Sequence, residues 1–257
     1  MQDLRSPDGE FHNRIRSCRS KLPHPAPWKP ARGGFAFDIT ADLHIPAAHE
    51  NRMDLAGTIV FLIRLGINPA ATLAAFSNRP FGNLRGTSDR EIVVVPVEIW
   101  PHEFPLKTKN TILTAKRLEW VRKRWQLTHQ LKRNSSEFAL AVAAINTGQF
   151  INNSALTLVS LWGALEALFS PSTTELKFRI SALIASFLER PGRPRSELQK
   201  EIGKLYDKRS AAAHGKPRHD EGDVLDTFNL LRRVLHAIID NQSVPTKDEL
   251  EARLFGA

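Results

Sequence analysis

Arg209 and His214 are separated by four residues in the run Leu205-Tyr-Asp-Lys-Arg-Ser-Ala-Ala-Ala-His-Gly215. Arginine presents a planar fork of donors that fits phosphate oxygens, and histidine titrates near neutrality. Together they supply phosphate binding and proton transfer, two parts of ribonuclease chemistry. Upstream, Ser196 is placed to cap a helix with Gln199 three residues on, and Leu198, Ile202 and Leu205 form one apolar stripe. The next step of that stripe is Arg209. A guanidinium at the end of a core-facing row requires a carboxylate or another anion, because burying it unpaired is costly. Gly215 then marks a helix stop. The R-x4-H spacing alone recurs by chance in helical proteins, so its weight depends on the elements around it.

Those elements are helical from residue 111 onward. Residues 112–132 carry Leu118, Val121 and Trp125 at helical spacing, while Lys116, Arg117, Arg122, Lys123, Arg124, Lys132 and Arg133 crowd the other faces. Such a cluster is a solvated face by default. It is also the densest positive run in the chain, and Arg117, Arg122, Lys123 and Arg124 are the candidates for RNA phosphate contacts. Residues 136–147 form a second helix. Residues 153–169 form a third that is apolar nearly all round, which predicts a central core helix. Glu166 interrupts it and needs a partner, with Arg179 and Arg209 as the candidates. A structural ion pair and a catalytic role both remain open for it. Ser172 and Glu175 make a capping box for a fourth helix, striped by Leu176, Ile180, Leu183 and Phe187 until Pro191-Gly192 stops it. The Arg209 helix is fifth. Residues 221–241 are a sixth, striped by Val224, Phe228, Leu231, Leu235 and Ile238, and a short tail helix follows Pro245. The reading is a mostly antiparallel bundle over residues 111–257.

Ahead of the bundle, residues 1–33 are basic and hold five prolines, which predicts a loosely attached arm. Residues 34–110 read as a smaller α/β domain, giving an α+β protein. Phe35, Phe37, Ile39, Ala41 and Leu43 alternate as in a half-buried strand, and residues 52–66 read as a helix. Residues 70–76 fit a short helix or a strand, and residues 91–100 are β-rich, with Pro96 marking an edge or a bulge. His44 and His49 have a spacing that suits neither a strand face nor a helix face, so no metal site is expected. No Gly-rich phosphate loop, nucleophile elbow or H-E-x-x-H occurs, and no cofactor is expected.

Composition bounds the partners. A formal charge of +9 over 257 residues favours a polyanion. The single cysteine, Cys18, excludes an internal disulfide and fits a reducing, cytoplasmic setting. No apolar run reaches spanning length, and the first residues lack the apolar stretch of a secretory signal, so no membrane is expected.

The segment Ser160-Leu-Trp-Gly-Ala-Leu-Glu-Ala-Leu-Phe169, followed by Leu205–Gly215, resembles the HEPN superfamily and within it the Apea-like branch. The likeness covers about residues 135–240. The signature of that superfamily, an Arg and a His four to six residues apart, maps onto Arg209 and His214, with Glu166, Tyr206 and Ser210 as supporting residues. The position after the arginine is often Asn, Asp or His in toxin members; here it is Ser210, followed by three alanines. The resemblance implies a metal-independent endoribonuclease of toxin–antitoxin or antiphage defence, with RNA as substrate and an antitoxin or defence protein as partner. It also admits a non-catalytic module that binds a nucleotide or a partner. Cleavage through the 2′-hydroxyl needs both a base and an acid, and one histidine cannot start both tasks. A homodimer with two facing motifs supplies them. Positions five apart lie about 140° apart around a helix, which also favours convergence between two chains.

Overall fold

The computed structural model describes residues 15–17, 37–39, 41–46, 49, 51–84, 92–99, 114–169, 175–215 and 218–255. Among these the chain is mostly helical, with two small two-stranded sheets. Contacts divide it into two units: residues 1–57 with 72–101, and residues 58–71 with 102–257.

In the first unit, β1 (Ile15–Ser17) pairs in parallel with β2 (Phe37–Ile39), so three residues of the expected irregular arm are paired. Among the described residues of the alternation read over 35–43, three are strand; Leu43 is non-strand and half exposed, and residues 35, 36 and 40 lie outside the described residues. The register needs a partner for every residue, and β1 supplies three. The segment at 70–76 resolves toward strand: β3 (Ala75–Ser77) pairs antiparallel with β4 (Val94–Pro96), with Phe76 opposite Val95. Pro96 costs no ladder bond here: it stands opposite Ala75, and the next residue, Val97, donates its N–H to the Ala74 carbonyl at 3.0 Å. Glu98 holds the approach to the ribbon by accepting from the Leu73 N–H at 2.6 Å.

Helix α1 (Arg52–Gly66) was expected wholly within the smaller domain, yet contacts assign its second half to the bundle. Phe61, Leu62 and Leu65 are fully buried in the same core as the later helices, and Phe61 meets Phe138 edge-on at 6.3 Å. Arg64 is also buried, donating to the Ala71 carbonyl at 2.9 Å and the Asn146 side-chain oxygen at 2.9 Å.

The bundle proper follows. Thr114 caps α2 (Ala115–Asn134), accepting from the Arg117 N–H. Ser135 closes α2 and opens α3 (Ser136–Thr147): its N–H reaches the Leu131 carbonyl and its hydroxyl oxygen accepts from the Phe138 N–H. Helix α4 (Ser154–Phe169) is central, packing on α3, α5 (Leu176–Leu188), α6 (Arg193–Ala213) and α7 (Glu221–Asn241). Its Leu158, Leu161, Trp162 and Leu165 are wholly buried. Helix α8 (Lys247–Phe255) packs on α5 through buried Leu250.

Two expected caps differ. Ser196 lies inside α6, because Gly192 at φ 133° and Pro194 in the first turn start the helix earlier. Gln199 instead donates to the Ser181 hydroxyl at 3.4 Å. Glu175 precedes α5 in the left-handed region, at φ 53°, with no side-chain cap; Ser172 lies outside the described residues. Reciprocal capping boxes stand instead at α7, where the Asp220 and Asp223 side chains accept from each other's backbone N–H at 2.9 and 3.1 Å, and at α8, where Thr246 and Glu249 do the same at 3.3 and 2.8 Å. Among the described residues no helix is long and apolar enough to cross a membrane.

Candidate functional site

Two turns of α4 and the last turns of α6 build the site. Trp162 and Glu166 are four apart on α4; Tyr206 and Arg209 are three apart on α6, so each pair shares a helix face. The packing of α4 against α6 sets the four side chains in a row. Trp162 meets the Tyr206 ring edge-on at 5.1 Å, the Arg209 guanidinium lies 5.5 Å from the centre of that ring, and Arg209 Nη2 donates to Glu166 Oε2 at 3.0 Å. Of the two partners read for Glu166, the structure selects Arg209.

The ion pair is partly enclosed, with the side chains 22% and 23% exposed. It is also single-armed. Glu166 Oε1, Arg209 Nε and the Trp162 indole N–H are buried and have no hydrogen-bond partner among the described residues. A bidentate pair would have used both carboxylate oxygens. The row therefore retains hydrogen-bonding capacity for a further polar group. Burial raises the Tyr206 hydroxyl above its ordinary value, and the negative charge of Glu166 adds to this.

His214 stands apart from this row. It is the first residue after α6 and is exposed; its backbone N–H returns to the Ser210 carbonyl at 3.2 Å. Gly215 follows at φ 69°, a conformation glycine adopts without strain, and ends the helix as expected. His214 and Arg209 make no hydrogen bond with each other within the chain. Ser210 is half-buried and serves the turn through its carbonyl.

Neighbouring groups fix the end of α6. Lys208 donates to the Arg218 carbonyl at 2.9 Å and pairs with Asp223 at 3.0 Å, tying the end of α6 to the start of α7. His219 and Ser154 are hydrogen-bonded at 2.9 Å, joining the start of α4 to the same loop. Sequence reasoning missed these anchors and the orphaned Trp162 N–H. Each is a contact between helices, for which local spacing gives no signal.

The basic helix is less free than its composition suggested. Arg122 grips Glu119 through two bonds of 2.6 Å, and Lys123 lies 3.7 Å from the same carboxylate, which is held below its ordinary range chiefly by the Arg122 hydrogen bond. Arg124 pairs with Asp240 of α7 at 2.8 Å and lies 4.9 Å above the Trp120 ring. Arg117 lines a separate cavity with Lys116, Trp120 and His236. Helix α2 packs on α3 and α7, whereas α6 packs chiefly on α5 and α4, so the structure does not join this cluster to the Arg209 row. His44 and His49 are exposed, and among the described residues no group of three or more His, Cys, Asp or Glu could hold a metal ion. Cys18 lies outside the described residues.

No family model, curated protein or solved structure matches the chain.

Proposed function

We propose that the chain is an endoribonuclease of HEPN type that cuts RNA through its own 2′-hydroxyl, as a homodimer. The observation that carries this reading is the disposition at the end of α6: Arg209 anchored by Glu166, with an exposed His214 on the following turn. A phosphate drawn to the guanidinium exchanges for, or shares, the single bond to Glu166. The 2′-oxygen attacks phosphorus as a histidine takes its proton. The bond to the 5′-oxygen breaks, and that oxygen receives a proton from the second histidine. Arg209 stabilises the charge on the five-coordinate phosphorus. One His214 comes from each protomer. Helix α4 offers a face for the pairing: it is apolar nearly all round, yet Leu156 is 59% exposed and Gly163 has open space above it. The chemistry is metal-independent, the setting cytoplasmic, and the context toxin–antitoxin or antiphage defence with a cognate protein partner.

The monodentate pairing of Arg209 with Glu166 also suits a second reading, a non-catalytic module in which the pair only braces α4 against α6. Incubating purified protein with mixed RNA, with and without EDTA, separates the two. Cleavage that survives chelation and is lost in His214→Ala supports the nuclease; intact RNA alongside a stable dimer supports the module.

A further inference from the structure

Between α5 and α6 the surface opens into a groove of about 490 Å³. Gly203, buried and without a side chain, lies in its wall, where a Cβ would meet Lys177 at 3.5 Å. Ser181 beneath is 1% exposed, and its hydroxyl is engaged, donating to the Phe178 carbonyl at 3.0 Å. The floor is thus closed and satisfied, and the rim differs from it. Phe178 stands 61% exposed on the α5 side. Lys200 and Lys204 stand exposed on the α6 side, one turn apart. Glu175 is the one carboxylate among the lining residues.

The charges on α6 are handled unevenly. Arg193, Lys208 and Arg209 each hold a carboxylate: Glu197, Asp223 and Glu166. Lys200 and Lys204 hold none among the described residues, although like charges four apart weaken a helix. Lys177 has Asp207 at 2.6 Å, but that pair is more than half exposed and readily exchanged. Arg195 is held by the Glu189 and Arg253 carbonyls at 3.0 and 3.3 Å, so the cations of α6 without a partner among the described residues are the two beside the exposed phenylalanine. Regularly spaced cations beside an aromatic face match a polymer of anions carrying planar bases.

We propose that this groove binds a single-stranded segment of RNA, with a base stacked on Phe178 and phosphates on Lys200 and Lys204. The choice of RNA rests on the nuclease reading. Single strands fit because a paired base keeps its faces inside the duplex stack. Lys204 precedes Arg209 by five residues, about 8 Å along the helix axis and about 140° around it, so a strand held here reaches the C-terminal end of α6 and must cross that end to meet Arg209.

The test is the anisotropy of a fluorescein-labelled 2′-O-methyl oligouridine, which lacks the 2′-hydroxyl and cannot be cut by the proposed route. Lys200→Glu/Lys204→Glu should weaken binding at least tenfold and flatten the log–log salt slope by about 1.4, the share of two phosphate contacts on a single strand. Phe178→Ala should weaken it about tenfold with the slope unchanged, and Phe178→Trp should restore it. A duplex probe should bind less tightly than the single strand. Circular dichroism and urea melts check that each variant is folded. Equal affinities for wild type and all variants overturn the groove, whatever the nuclease assay gives. Groove-dependent binding without cleavage of ordinary RNA overturns the nuclease and leaves the groove standing. Loss of a dimer in Phe178→Ala, seen by sedimentation, would mean that a second copy occupies the groove and overturns the proposal.

Discussion

At the scale of single residues, Arg209 serves packing as well as chemistry, and its substitutions divide accordingly. Arg209→Ala leaves the Glu166 carboxylate without its partner in a site where both side chains are mostly enclosed, and should cost about 1–3 kcal/mol in urea unfolding. Arg209→Lys can keep a bond to Glu166 but loses the planar fork. It should be nearly as stable as wild type while cleaving RNA at least a hundredfold more slowly, which a melt and a cleavage assay on one preparation will separate. A second residue gives a pH signature. His236 is hydrogen-bonded to the Leu65 carbonyl at 3.0 Å and packs on Trp120, with Arg232, Arg124 and Asp240 as its charged neighbours. Burial is the main force lowering it from 6.5, so the folded state binds that proton less readily than the unfolded chain. Its contribution is present above about pH 6.5 and is lost as pH falls through the lowered folded value. Stability measured from pH 7.5 to 5 should decline, and His236→Asn should flatten that decline; an identical slope in both would remove His236 as its source.

At the scale of elements, the helix ends carry the energy that one substitution can reach. Asp220 accepts from the Asp223 N–H at 2.9 Å and starts the longest clean apolar stripe of the chain, so Asp220→Ala should cost about 1 kcal/mol. Denaturant midpoints for this variant and for Ser196→Ala make a paired check, because Ser196 sits inside α6 and its loss should change little. That contrast marks how far the sequence could be read. The stripes Val224–Ile238 and Leu176–Phe187 are periodic over many turns, and each corresponds to a helix whose striped residues are buried or half-buried. Caps are single local choices, and at α6 the Gly192–Pro194 start prevailed over a serine that also fitted. The pairing of Glu166 with Arg209 was legible as a need, since a carboxylate on an apolar helix requires a cation. The bond between Arg124 and Asp240 was not, because 116 residues separate them. The second half of α1 was misplaced for a related reason: its apolar face is visible in sequence, but the surface it packs on is not.

At the scale of the whole molecule, the nuclease reading requires two chains. If each cleft takes its acid from one His214 and its base from the other, a heterodimer of wild type with His214→Ala should be nearly as inactive as the double mutant. Retention of half the activity would show that each chain works alone. Products should carry a 2′,3′-cyclic phosphate and a 5′-hydroxyl, and 2′-deoxy substitution at the scissile position should block cutting. Another property of the assembled bundle follows from Ser135, which ends α2 and begins α3 with no spacer between them. One inserted residue there would turn α3 by about 100° relative to α2 and carry Phe138, Ala141 and Ile145 away from the core they fill. The junction can therefore tolerate a changed side chain far better than a changed length. Over generations it should accumulate substitutions but no insertions or deletions, and a tag or split point placed there should yield no folded protein.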